Sequence, residues 1–366
     1  MKKFSILTIT IFLLLILFCV PELSDKGNVL IKRVDNLDNI SRSDFDDSFL
    51  GMIFYQDINK SENKNYDRLP LSNSISNNEI NVEGKVLGKF YYEVEEGVVG
   101  QGHLLGTNYT TTEYLNQMVE SAKKDIQSGS LKQEYQAQSN LTRSLSSISI
   151  GDSWELIWSD KIVWSLDHEG IHFGDFSEWY STYQIITSDY SYYLITHESY
   201  ISPNNDNTDD FRSSQLIYNF NPNNEHILLR DYYPKAKNPN MTVSYGCDVG
   251  AEIDSDGTAS VNAGVSSSYS TILESPKIYD RGNMAQNEVD ILFEYVDPWA
   301  EDDTYYPYNT GQSMQTSIYL LREDAGRTDL VDMSDIRTVQ MVRDHSLFWN
   351  DETVNFVYNY IYTLRL

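Results

Sequence analysis

Beyond Gly84 the chain alternates apolar and polar residues with a period of two, the mark of strands that bury one face. Lys89–Val94 reads this way first. A run of similar segments follows at Trp154–Trp158, Lys161–Leu166, Tyr180–Thr187, Tyr190–Ile201, Gln215–Phe220 and Ile227–Tyr232. Glu288–Tyr295, Met314–Arg322, Thr338–Val342 and Val354–Leu364 complete the set. A period of 3.6 replaces the period of two at one place. Tyr114, Leu115, Met118, Val119, Ala122 and Ile126 form a single helical stripe, opened by a capping-box pattern at Thr110–Glu113. Many strands with few helices between them predict a mainly β fold. The expected architecture is an antiparallel β-sandwich with one helix near 110–126, not a parallel sheet.

Residues before Gly84 read differently. Lys2 and Lys3 precede an apolar run, Phe4–Val20, which has the charged and hydrophobic parts of a secretory signal. The run is short for a membrane span but within the permitted range, so residues 1–20 are a signal peptide or a membrane anchor. Residues 21–84 are polar and broken, with a Ser/Asn tract at Leu71–Asn81, and predict a flexible lead. The alternative is a short strand around Met52–Tyr55 docked on the main body. Residues 85–366 then form the β-rich domain.

The most regular alternation lies in Met241–Thr271. Val243, Tyr245, Cys247, Val249, Ala251 and Ile253 occupy odd positions, and after Asp254–Gly257 the odd set resumes at Ala259, Val261, Ala263, Val265 and Tyr269. The even set is small or polar and includes Asp248, Glu252 and Asn262. Paired residues share a face, so apolar must oppose apolar and the two residue numbers must sum to an even value. A Ser255-Asp256-Gly257 loop satisfies this by pairing Ile253 with Ala259 and Val249 with Ala263, and it sets Gly257 where such loops want a left-handed residue. Two readings of this hairpin stand side by side. It is a ribbon of a soluble sandwich, or it is a membrane-inserting hairpin whose odd face meets lipid while the even face lines a water-filled lumen.

Composition narrows the partners. The chain carries 27 Lys+Arg against 54 Asp+Glu, a formal charge of −27. Such a surface repels nucleic-acid phosphate and does not adsorb electrostatically to anionic lipid. Apolar residues at 40% and aromatics at 13% exclude general disorder. Five Asn-x-Ser/Thr sequons, at Asn39, Asn59, Asn108, Asn140 and Asn240, fit an exported surface.

Enzyme signatures are sparse. His168-Glu-Gly-Ile-His172 matches H-E-x-x-H, in which a helix sets two zinc-ligating histidines on one face with Glu169 as base. Gly170 and Gly174 together with the flanking aromatics make this strand and turn text, so His168 and His172 are weak metal candidates. Asn204–Asp210 is oxygen-rich but lacks the central Gly and terminal Glu of an EF-hand loop, and reads as solvated. No phosphate-binding Gly loop, nucleophile elbow or Cys/His pair occurs, so neither a cofactor nor a catalytic residue is assigned.

Tyr233-Pro-Lys-Ala, Val243-Ser-Tyr-Gly246, Val261-Asn-Ala-Gly-Val265 and Thr271-Ile-Leu-Glu-Ser-Pro276 resemble the stem and its exit in the leukocidin/α-haemolysin family of β-barrel pore-forming toxins. The similarity is most specific over 233–276 and can be followed loosely to Arg322. It implies a β-sandwich cap, a rim that meets lipid headgroups, and a stem hairpin released on oligomerisation. The family's rim uses aromatics and an Arg in the stretch after the stem. Trp299, Tyr305 and Tyr306 match by order and type, whereas no Arg lies between Arg281 and Arg322. The helix and the long polar lead also depart from that largely all-β family. The resemblance implies a secreted or outer-surface protein that partners membrane lipid, assembles with itself or with a paired component, and binds no nucleic acid. The alternative is an anchored cell-surface β-sandwich glycoprotein or adhesion module without pore activity.

Overall fold

A computed structural model of the chain describes residues 27–58, 80–136, 154–186, 190–204, 210–222, 227–234, 247–253, 259–265, 277–295, 313–323, 330–344 and 352–365. Seventeen strands run through these residues in chain order. They are β1 (Val29–Val34), β2 (Gly51–Gln56), β3 (Ile80–Glu83), β4 (Lys85–Glu95), β5 (Val98–Gly106), β6 (Glu155–His168), β7 (Ile171–Ile186), β8 (Ser191–Pro203) and β9 (Asp210–Asn221). β10 (Ile227–Tyr233), β11 (Cys247–Ile253), β12 (Ala259–Val265), β13 (Lys277–Asp280), β14 (Val289–Glu294), β15 (Ser313–Glu323), β16 (Leu330–Asp344) and β17 (Glu352–Arg365) follow. Helix α1 (Thr112–Ser128) sits between β5 and β6.

Two large sheets make the body. One has nine strands in the order β1-β2-β4-β5-β6-β7-β8-β15-β10, the other six in the order β13-β14-β9-β16-β17-β3. Most neighbours are antiparallel, as the sequence predicts, but β1–β2, β5–β6 and β17–β3 pair in parallel. Inward residues of both sheets interdigitate in one core. Ile162, Trp164, Tyr180 and Ile195 come from the first sheet, and Leu216, Tyr218, Ile291, Val339 and Phe356 from the second. This is the face-to-face packing of a sandwich.

Helix α1 covers the other face of the nine-stranded sheet. Its buried stripe, Leu115, Met118, Val119, Ala122 and Ile126, packs with Ile53, Phe90, Leu104 and Trp179. The Leu, Met, Val and Ile side chains each contribute roughly 1.5–3 kcal/mol when fully buried, so the stripe fixes the helix to the sheet. The helix ends at Gly129, whose φ of 72° is the left-handed cap conformation. Its start is one residue later than the capping-box pattern suggests. Thr111 is the N-cap and accepts from the Tyr114 N–H at 3.3 Å, while Thr110 turns inward and donates to Asp167 Oδ2 at 2.5 Å. In the middle of β5, Gly102 is a close-approach position, since a Cβ there would lie 2.1 Å from Phe90 Cζ and 2.6 Å from the Lys161 carbonyl.

The expected flexible lead at 21–84 is corrected in part. β1, β2 and β3 fall within it, and Ile53 of β2 has no exposed surface. β1 (VLIKRV) and β2 (GMIFYQ) are apolar islands in that polar stretch, and with β3 they find partners because β4 and β17 offer them unpaired edges. Met52–Tyr55 therefore docks on the main body. Residues 59–79, most of the Ser/Asn tract included, lie outside the described residues, as does the apolar run Phe4–Val20. Trp154–Trp158 and Lys161–Leu166 join into the single strand β6, bulged at Leu156/Trp158.

A charged cluster crosses the core between the sheets. Glu178 of β7, His197 of β8, and Asp335 and Arg337 of β16 are all at most 1% exposed. Arg337 Nε lies 2.7 Å from Glu178 Oε2, and its Nη1 lies 3.1 Å from Asp335 Oδ1. His197 stands between the two carboxylates, with Nδ1 2.9 Å from Glu178 Oε1 and Nε2 3.2 Å from Asp335 Oδ2. The guanidinium also lies within 6 Å of the ring centres of Tyr180, Tyr218 and Tyr360, at 5.9, 5.7 and 5.6 Å. Burial by itself would raise the Glu178 carboxyl, but Arg337 and His197 outweigh it and hold the group below the usual carboxylate range.

Candidate membrane-inserting hairpin

β11 and β12 form a two-stranded sheet of their own. The ladder pairs Cys247 with Val265, Asp248 with Gly264, Val249 with Ala263, Gly250 with Asn262, Ala251 with Val261, Glu252 with Ser260 and Ile253 with Ala259. This is the register that the alternation and the Ser255–Gly257 loop predict. Every apolar residue of the ladder shares a face with its apolar partner, and the small and polar residues share the other. A slip of one residue would mix the two faces, so the pattern itself holds the register.

The hairpin lies by the body. β12 runs beside β10, the edge strand of the nine-stranded sheet, and beside β15. Seven pairs fall short of the ~9–11 residues that a tilted barrel strand needs to cross the hydrocarbon. In the sequence the alternation of each arm continues beyond the described ladder. Val243, Tyr245 and Tyr269 lie in that continuation and outside the described residues, as do the headgroup candidates Trp299, Tyr305 and Tyr306. The sequons at Asn39 and Asn108 fall on exposed residues, whereas Asn59, Asn140 and Asn240 fall outside the described set. Among the described residues, no helix is long and apolar enough to cross a membrane, a statement that does not bear on strands.

His168-Glu-Gly-Ile-His172 forms the tip of the β6–β7 hairpin. His168 pairs with Ile171 across a two-residue turn, and Glu169 and Gly170 have φ of 50° and 80°, as a type I′ turn requires. The helix that H-E-x-x-H chemistry needs is therefore not formed. The two imidazoles have separate neighbours. His168 meets the Tyr109 ring at 4.9 Å and lies 3.7 Å from Glu352, while His172 stacks on Tyr114 at 4.8 Å. The tip thus grips the start of α1, reinforced by the Thr107 hydroxyl donating to the Asp167 carbonyl at 2.6 Å. Among the described residues, no three His, Cys, Asp or Glu side chains are grouped to hold a metal. Of the Asn204–Asp210 loop, residues 205–209 lie outside the described set, and the Asn204 side chain donates to the His172 carbonyl at 2.9 Å.

His172 gives the grip a pH dependence. Burial favours the neutral ring, but the Asp167 carboxylate at 2.8 Å and the Asp175 carboxylate at 3.7 Å outweigh it and push the imidazole up to about 9. A raised folded value means that the contribution is complete below the ordinary histidine range and is lost as pH rises through about 9. Thermal melts from pH 6 to 10 test this. The His172→Gln chain is expected to melt below the native chain at pH 6, by a gap that narrows as pH approaches 10. A constant gap would show that the ring acts through packing alone.

The residues that sequence reasoning missed are the core charges. Glu178 sits between Phe176 and Tyr180 at i±2, His197 follows Ile195 by two, and the Asp335/Arg337 pair is flanked by Met333 and Val339, all buried apolar or aromatic residues. A charge in the apolar phase of a strand was the available signal.

The described residues thus define a mainly β, two-sheet sandwich bearing a separate amphipathic hairpin. No protein-family model matches the chain, and no curated protein matches it. Among solved structures it is similar to a chain described as a pore forming protein, at 10% identity and a TM-score of 0.32 over 58% of this chain and 90% of that one. It is similar to the Clostridium perfringens NetB toxin in the membrane inserted form, at 13% identity and 0.27 over 57% and 96%. It is also similar to Clostridium perfringens delta-toxin, at 9% and 0.34 over 59% and 90%. Superposition this loose leaves the functional argument to the hairpin itself.

Proposed function

We propose that this chain is an exported, leukocidin-like pore-forming protein whose 241–271 hairpin crosses a target bilayer, closing a β-barrel with other copies or with a paired component. The observation that carries this reading is the β11–β12 register, which gathers apolar residues on one face and small or polar residues on the other. An open hairpin cannot stay in hydrocarbon, because its outer backbone groups would lack partners, so several hairpins must close a ring. With a charge of −27 on the chain, adsorption to anionic lipid cannot drive insertion, and the hydrophobic face must do so. Membrane lipid is then the partner, and secretion or the outer surface the location.

Dye-loaded phosphatidylcholine vesicles test the proposal. The full chain is expected to release dye with a steep dependence on protein concentration. Absence of release would remove the pore reading in favour of an anchored surface module in which the hairpin is a static ribbon. Cys247 reports which of the two applies. A polarity-sensitive thiol label there is expected to shift when vesicles are added, and an unchanged signal would favour the ribbon.

A further inference from the structure

We infer that the barrel built from this hairpin conducts cations in preference to anions, with Asp248 and Glu252 as the selectivity-determining residues. The inference rests on the pore reading above and deepens it. The β11–β12 ladder sets Asp248 opposite Gly264 and Glu252 opposite Ser260, with Gly250 and Asn262 paired between them. All six positions fall on the face opposite to the apolar one. That face must meet the lumen, since a charged position aimed at hydrocarbon carries a large penalty.

Three features then fix the sign of the field. No Lys or Arg occurs anywhere from Met241 to Thr271. The residue across the ladder from each carboxylate is glycine or serine, so nothing on the partner strand neutralises it. Each acidic position recurs once per protomer, which turns two residues into two rings. The rings are four residues apart, about 14 Å along the strand, and the Debye length is about 10 Å at 0.1 M salt. Each ring therefore acts on passing ions as a separate negative constriction, the arrangement that favours cations.

Planar bilayers of phosphatidylcholine, which carry no net surface charge, separate this inference from the pore reading. With the full chain in a KCl gradient, the expected zero-current potential has the sign of cation flow, with a cation-to-anion permeability ratio of about 10 or more at low salt. The Asp248→Asn, Glu252→Gln chain is expected to open channels and to bring that ratio down about tenfold, to near parity. Glu252→Gln alone is expected to fall between. Channels that prefer anions, or a double variant with the native ratio, would overturn the inference and leave the pore intact. Failure of the native chain to open channels would remove the pore and the selectivity together.

Discussion

Arg337→Leu is expected to lower the stability of the sandwich by about 3–5 kcal/mol, the cost of removing one partner from a buried ion network. The change leaves Glu178 and Asp335 facing His197 alone, in a site with at most 1% exposure. Two carboxylates cannot both stay charged there on one imidazole without a large desolvation penalty. The loss should appear as a lower urea midpoint with an unchanged slope. Combining Arg337→Leu with Glu178→Gln and Asp335→Asn is expected to recover much of it, because the uncompensated charges go. A single variant as stable as the native chain would show that the cluster does not tie the sheets.

The same cluster sets an acid limit. The Glu178 carboxyl is held below its ordinary range by Arg337 and His197 against its burial. Its contribution is therefore present above the ordinary carboxylate range and lost as pH falls through the lower folded value. Native chain and triple variant should converge in stability as the solution is made strongly acid.

Val249→Arg is expected to abolish vesicle leakage while leaving the melting transition of the body in place. Val249 is the third position of β11 and pairs with Ala263 on the apolar face. An arginine near the bilayer midplane costs roughly 2–4 kcal/mol on a barrel's lipid face, and every protomer of a closed ring carries it. The summed cost exceeds any single-site effect, so release should fall by orders of magnitude. β11 and β12 form a sheet of their own, apart from the two sheets of the body, so folding of the body is expected to be spared. Gly250→Ser, on the opposite face, is the matched control and should leave leakage near the native level. Equal losses from both changes would mean that the two faces are not distinguished by a membrane.

Legibility followed the range of the interaction. The hairpin register, the α1 stripe and most strands were readable because period, turn and cap are written within a few residues of one another. Gly257 and the even pair sums select the 253–259 pairing before any tertiary contact is known. The H-E-x-x-H segment shows the same locality, since Gly170 marks a turn that the paired histidines would otherwise conceal.

What lay beyond the sequence was partnership at a distance. β1 and β2 carry local strand signals, but only the open edge of β4 decides where they pair in the sheet. Likewise nothing local sets Arg337 against Glu178, 159 residues earlier in the chain. Strand order, the three parallel pairs and the place of the hairpin beside β10 belong to the same class. The sequence by itself determined which residues share a face, because alternation is a local property of an extended backbone. The tertiary structure alone decided which faces meet, because sheet pairing and core burial are settled by contacts between segments that the chain keeps far apart.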